Sequence, residues 1–167
     1  MSRIKKDSVK VEHWRCRDNF PDKQLDYRNM LGVCYGGERE RMDPALYHCD
    51  KTKGNLNLKY NPANPAHRIE SRLYYEPDGN IRSYDEEFNK QLESVLNLNQ
   101  KYLKKNRESV FSAFSDWLDD QKKKKYTITR DRFERECRWR VGGTEQLEPN
   151  CQVAVWILEQ RLASTRP

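Results

Sequence analysis

Val9-Lys10-Val11-Glu12-His13-Trp14, read together with His48-Cys49-Asp50-Lys51-Thr52-Lys53-Gly54, decides how this chain folds. Residues 8 to 15 alternate loosely and carry the β-favouring Val9, Val11 and Trp14, which predicts a short strand ending near His13. The second stretch predicts a short helix. Asp50 can accept from N–H groups of the following turn, and Gly54-Asn55 would end that turn quickly. Between them, Asn19 and Pro21 mark a loop. Leu25 to Cys34 reads as a short helical turn, or as a strand approaching a tight reversal at Gly36-Gly37.

Working outward, residues 38 to 47 carry mixed charge and Pro44, as an exposed insertion would. Ile69 to Tyr75 reads as a strand, Pro77-Asp78-Gly79-Asn80 as a turn and Ile81 to Tyr84 as the returning strand. From Asp85 to about Gln121 the apolar residues fall at threes and fours, and Asn97-Leu98-Asn99 divides that pattern into two helices. Thr129 is placed to cap a helix over 130 to 140. Gly142-Gly143 and Pro149-Asn150 mark a loop, and Cys151 to Leu162 reads as a final helix. No internal repeat is visible. The expected organisation is α+β, with a core over residues 1–84 and a mostly helical region over 85–167.

The bulk numbers bound the function. The 167 residues fit one domain, or a small domain with a helical extension. Apolar and charged residues each make up 35%, a thin apolar share that favours help from a metal, a nucleic acid or a partner protein. The net charge of +6 is compatible with a polyanionic ligand. No apolar run approaches a membrane span, and the basic N-terminus does not lead into an apolar signal core, so a cytoplasmic protein is expected. Five widely spaced cysteines do not read as a disulfide framework.

Among the candidate site residues, His13 has the side chain suited to taking a proton from water near neutral pH. Glu12 is its neighbour, yet adjacent strand residues point to opposite faces, so the two converge only where the strand ends or bulges. Asn29 can orient the imidazole or cap a turn. Asp50 can offer an oxygen to a divalent ion or serve as an ordinary helix cap. Cys34 and Cys49 are either half of a tetrahedral zinc knuckle or two buried thiols; Cys16 and His48 are poorly spaced completions. Arg15, Lys51 and Lys53, with Arg17, Arg39 and Arg41 near them in sequence, are candidate phosphate contacts, diluted by the acidic Asp18, Glu38, Glu40 and Asp43.

These residues resemble the HNH endonuclease superfamily, and more narrowly the PtuB-like HNH proteins of Septu-type and retron anti-phage systems. The likeness runs over about residues 8 to 110. It rests on Val11 to Trp14, Leu25-Asp26-Tyr27-Arg28-Asn29-Met30-Leu31, Cys34-Tyr35-Gly36-Gly37 and His48 to Asn55. Tyr75 to Ile81 and Leu96 to Asn99 also fit. The resemblance implies a ββα-metal nuclease core that hydrolyses DNA with magnesium or manganese. His13 would be the general base, Asn29 its positioning partner, and Glu12 and Asp50 the ion ligands. It also implies a PtuA-like ATPase partner and, in retron systems, a reverse transcriptase and its nucleic-acid product. Relatives carry a Cys-x-x-Cys pair ahead of the catalytic strand. No such pair precedes Val11 here, so Cys34 and Cys49 would be the downstream half of an incomplete zinc knuckle. Two rival readings keep the chain without the reaction: a catalytically decayed nucleic-acid-binding or structural subunit, and a zinc-binding interaction module. Trp117 and Trp156 are either exposed contacts for a partner or part of the protein's own core.

Overall fold

The computed structural model describes residues 9–124, 126, 131, 132, 135 and 149–164. The predicted cap at Thr129, most of the helix over 130 to 140 and the Gly142-Gly143 loop lie outside them. The fold is mixed α+β with a largely helical C-terminal region. Two compact units divide the chain. One holds the described residues 9–74 and 81–101; the other holds 75–80 and those from 102 onward.

In the first unit, strand β1 (Lys10–His13) pairs antiparallel with β2 (Met30–Val33), with Glu12 opposite Leu31 and His13 opposite Met30. The strand ends at His13, as the alternation predicts. Leu25 to Cys34 takes both of its predicted forms: a 3-10 turn over Tyr27–Asn29, then β2. Asp26 caps that turn by accepting from the Arg28 N–H at 3.0 Å. A one-turn helix, α1 (Asp50–Lys53), follows the exposed insertion.

Strands β3 (Leu73–Tyr75) and β4 (Ile81–Ser83) form the predicted hairpin. The first half of the expected Ile69–Tyr75 strand is instead a 3-10 turn, Ile69–Arg72. Arg68 enters it at φ 45°, a left-handed conformation that breaks an extended run. Helix α2 (Glu86–Lys90) starts where the Asp85 carboxylate accepts from the Phe88 N–H at 2.9 Å. It widens into a π turn, Gln91–Val95, and stops where Asn97 turns left-handed at φ 47°. Leu58, Ile81, Phe88, Leu92 and Leu98 are buried here, with Tyr60 edge-on to Phe88 at 5.0 Å.

The second unit contains helices α3 (Lys101–Lys123) and α4 (Cys151–Ser164). Arg107, Phe114, Leu118 and Gln121 form the buried stripe of α3, spaced by seven, four and three. Val153, Ala154, Ile157 and Leu158 are buried on α4. Burying each such aliphatic or aromatic side chain contributes roughly 1.5–3 kcal/mol. Of the two readings of Trp117 and Trp156, partner contact or closure of the protein's own core, their packing follows the second: both are half-buried. Trp117 lies 5.1 Å from Phe114, and Trp156 sits edge-on to Tyr75 at 6.1 Å. The hairpin tip 75–80 belongs to this unit: the Arg107 Nε–H donates to the Gly79 carbonyl at 2.6 Å, and Lys104 pairs with Asp78 at 3.0 Å. A Cβ on Gly79 would lie 2.1 Å from the Lys104 carbonyl oxygen. Among the described residues, no helix is long and apolar enough to cross a membrane.

Candidate metal centre and adjoining cleft

Cys34 follows β2 directly, while His48 and Cys49 precede α1. Their ligating atoms all lie within 4.8 Å of one another. Three local devices bring the two segments together. Gly36, at φ 63°, lies against the second segment so closely that a Cβ there would sit 2.2 Å from the His48 carbonyl oxygen. The His48 N–H in turn donates to the Gly36 carbonyl at 3.1 Å. Asn97 reaches back from the left-handed turn, its amide donating to the carbonyls of Tyr47 at 2.7 Å and Ala45 at 3.2 Å. Cys49 itself stands at φ 56°, ψ −131°, an unfavourable backbone for a side-chain-bearing residue. Its N–H donates to the Leu96 carbonyl at 2.8 Å, and its carbonyl accepts the Lys53 N–H that opens α1.

The electrostatics of the three groups suit a cation. Hydrogen bonds from Cys49 and His48 hold the Cys34 thiol down at about 4, so it is a thiolate at neutral pH. The same contact, reinforced by burial, pushes the Cys49 thiol up. The Cys34 thiolate raises the His48 imidazole. Two sulfurs and one imidazole nitrogen form a soft donor set matched to zinc, and a tetrahedral ion needs one ligand more. The cluster can therefore hold a metal ion. His48 is the ligand that sequence spacing ranked too low. Cys16, its rival completion, is buried elsewhere, on the wall of the neighbouring cleft.

That cleft has a volume of about 210 Å³ and is lined by Glu12, His13, Cys16, Arg17, Asp18, Asp50, Gly54 and Asn55. It lies where β1 meets α1. Three of the predicted residues, Glu12, His13 and Asp50, share it, because the strand ends at His13 and leaves alternation behind. The His13 Nε2 stands 2.9 Å from the Gln24 carbonyl. A carbonyl only accepts, so Nε2 carries a proton, and in the neutral ring the lone pair then falls on Nδ1. Glu12 and Asp50 are within hydrogen-bonding reach of each other. Burial, then Asp50, raises the Glu12 carboxyl. Burial also works against ionising Asp50, yet the hydrogen bonds from Glu12 and Lys10 prevail and hold it down. Each carboxylate has a lysine partner: Lys53 bonds Glu12 at 2.9 Å and Lys10 pairs with Asp50. Two carboxylates are the oxygen donors that magnesium or manganese takes, and an ion there would displace those ammonium groups.

Other predicted roles are corrected. Asp50 is not a helix cap; it is the first residue of α1, and its carboxylate turns to Lys10 and Glu12. Asn29 does not touch the imidazole. Its buried amide binds backbone, accepting from the Arg15 N–H at 2.7 Å and donating to the carbonyls of Arg15 at 3.0 Å and Lys23 at 3.1 Å. It thereby fixes the loop on either side of His13 and Gln24. Lys53 is not free for phosphate. It is 3% exposed, and its ammonium bonds Glu12, the His13 carbonyl and the Gly54 carbonyl. Lys51 pairs with Glu38 at 2.6 Å, and the Arg15 guanidinium lies 4.4 Å over Trp14 and 5.2 Å from Phe20. Of the basic residues the sequence groups around the site, Arg17 is exposed and lines the cleft. No protein-family model matches this sequence, and no curated protein is significantly similar to it.

Proposed function

We propose that this chain is a zinc-binding module in which Cys34, His48 and Cys49 hold a structural ion. The observation that supports this reading is the convergence of three soft ligand atoms within 4.8 Å, drawn from two segments by Gly36 and Asn97. A structural zinc supplies folding free energy where the apolar core is thin. Plasma mass spectrometry of the purified chain should find one zinc per molecule. Cys34→Ser combined with Cys49→Ser should remove it and lower the unfolding midpoint. A metal-free wild-type protein whose stability is indifferent to added zinc and to chelators would reject the reading.

A second reading gives the module a reaction: DNA phosphodiester hydrolysis, as the resemblance to PtuB-like HNH endonucleases implies. The specific observation favouring it is that His13, Glu12 and Asp50 share one open cleft where a two-stranded hairpin meets a helix. On this reading hairpin and helix form a ββα-metal core. Glu12 and Asp50 would hold magnesium or manganese, which when bound stabilises charge building on the phosphate and the leaving oxygen. Nδ1 of His13 takes a proton from water, while Gln24 holds the ring through Nε2. Asn29 is a positioning residue for the backbone that carries both. Arg17 is placed for a phosphate, and a PtuA-like ATPase would supply targeting. Plasmid cleavage with magnesium or manganese, by the chain alone and with such a partner, should be lost in His13→Ala. An unchanged rate in that variant would sink the nuclease reading and leave the zinc reading standing.

A further inference from the structure

A second groove in the same unit, of about 370 Å³, lies between the Ile69–Arg72 turn and the end of β4, lined by Arg68, Ser71, Arg72, Tyr84 and Asp85. Its size lies within the range of small-ligand sites. Tyr84 is 70% exposed. Its ring packs on Tyr74 with centroids 4.8 Å apart and planes tilted by 32°, which leaves an aromatic surface open to solvent.

Two guanidinium groups border it. Arg72 is fixed: its Nε–H donates to the His67 carbonyl at 2.7 Å, and it lies 4.4 Å over the Tyr60 ring. Arg68 is exposed, its backbone held left-handed, and it has no ion-pair partner among the described residues. The one carboxylate in the lining, Asp85, is already saturated. It accepts from Lys59 at 2.7 Å, from the Tyr60 hydroxyl at 2.8 Å and from the Phe88 N–H at 2.9 Å. Lys59 chiefly, then Phe88 and Tyr60, hold its carboxyl well below the usual range. Asp85 stays ionised, its charge met by Lys59, which also pairs with Glu87 at 3.0 Å; the two arginines leave the lining with a positive balance beside an open ring.

We propose that this groove binds single-stranded nucleic acid, with a base stacked on Tyr84 and the adjoining phosphate on Arg68 and Arg72. A flat apolar face next to a cation matches the two halves of a nucleotide, and a base offers its face only when unstacked. Duplex DNA offers the phosphate without the face. A free mononucleotide carries the same chemistry, and the test separates the two. The proposal stands whether or not the metal centre or the cleft at His13 has the function assigned to it.

Fluorescence anisotropy of the full chain with a labelled 15-nucleotide single strand, without added divalent ions, reads this site. Tyr84→Ala and Arg68→Ala should each weaken binding by roughly ten-fold, and Tyr84→Phe should retain it. Arg68→Ala should also flatten the salt dependence by close to one phosphate's share, about 0.7 in the log–log slope. A duplex of the same length should bind more weakly, and AMP should compete only at millimolar concentration. Wild-type-like binding by both alanine variants, or no binding by the wild type, overturns the proposal. Competition by AMP at the strand's own affinity would assign the groove to free nucleotides and reject the strand. Circular dichroism and thermal melts of each variant confirm that the unit is intact.

Discussion

Gly36 shows what a single missing side chain does for the metal centre. Its φ of 63° and the 2.2 Å gap between a built Cβ and the His48 carbonyl leave no place for alanine. Gly36→Ala should strain or displace the segment by about 1–3 kcal/mol. A chromophoric chelator competing for zinc should then strip the variant more readily than the wild type. Asn29 works in the opposite way, through a side chain that substitutes for missing backbone partners. Replacing it with alanine orphans groups on both Arg15 and Lys23 and should cost about 2 kcal/mol or more in urea unfolding. The identities of both residues were legible in the sequence; their partners were not. Asn29 was read toward the imidazole because the resemblance points there, whereas the fold aims it at carbonyls on either side. His48 was ranked low for its spacing as a completion, whereas the fold brings its segment against Gly36 and so to Cys34; nothing in a Cys-Asp pair announces the left-handed backbone of Cys49.

Periodicity carried the elements well where one face is buried. The β3–β4 hairpin, the break near Asn97 and the final helix all follow from spacing and turn residues. It failed over Ile69–Arg72, where only Ile69 is apolar and the path is set by the left-handed Arg68 and the bond from Arg72 to His67. Helix α2 begins on Asp85, a cap that also bears an ion pair with Lys59. Its folded carboxyl is depressed, chiefly by Lys59, so the stability it lends is complete above its unfolded value, about 4, and drains away as pH falls through the folded one. Asp85→Asn keeps the cap and removes the charge. Thermal melts should show the variant less stable than the wild type at pH 7, with the gap closing as the pH is taken below about 4.

At the scale of the whole molecule, each unit buries both apolar and polar side chains. The unit with the helices α3 and α4 buries Leu118, Val153, Ile157 and Leu158 beside the polar Arg107 and Gln121. Phe114 is fully buried, so Phe114→Ala should cost about 3–5 kcal/mol, measurable as a fall in the denaturant midpoint. The other unit commits buried positions to polar groups, among them Asn29, His48, Lys53 and Asn61, and places the metal centre beside them. The thin apolar content hinted at help from a metal, but composition does not say which half of a chain would hold it. The tip formed by Pro77-Asp78-Gly79-Asn80 has the look of a permissive surface turn, the sort of position where a protein engineer would splice an epitope tag or open new chain ends. With Gly79 so close to α3 that a Cβ would sit 2.1 Å from the Lys104 carbonyl oxygen, and with its own carbonyl held by Arg107, that splice would unseat a packed joint. Labels and circular permutations belong elsewhere, for instance in the exposed stretch around Arg39 to Pro44.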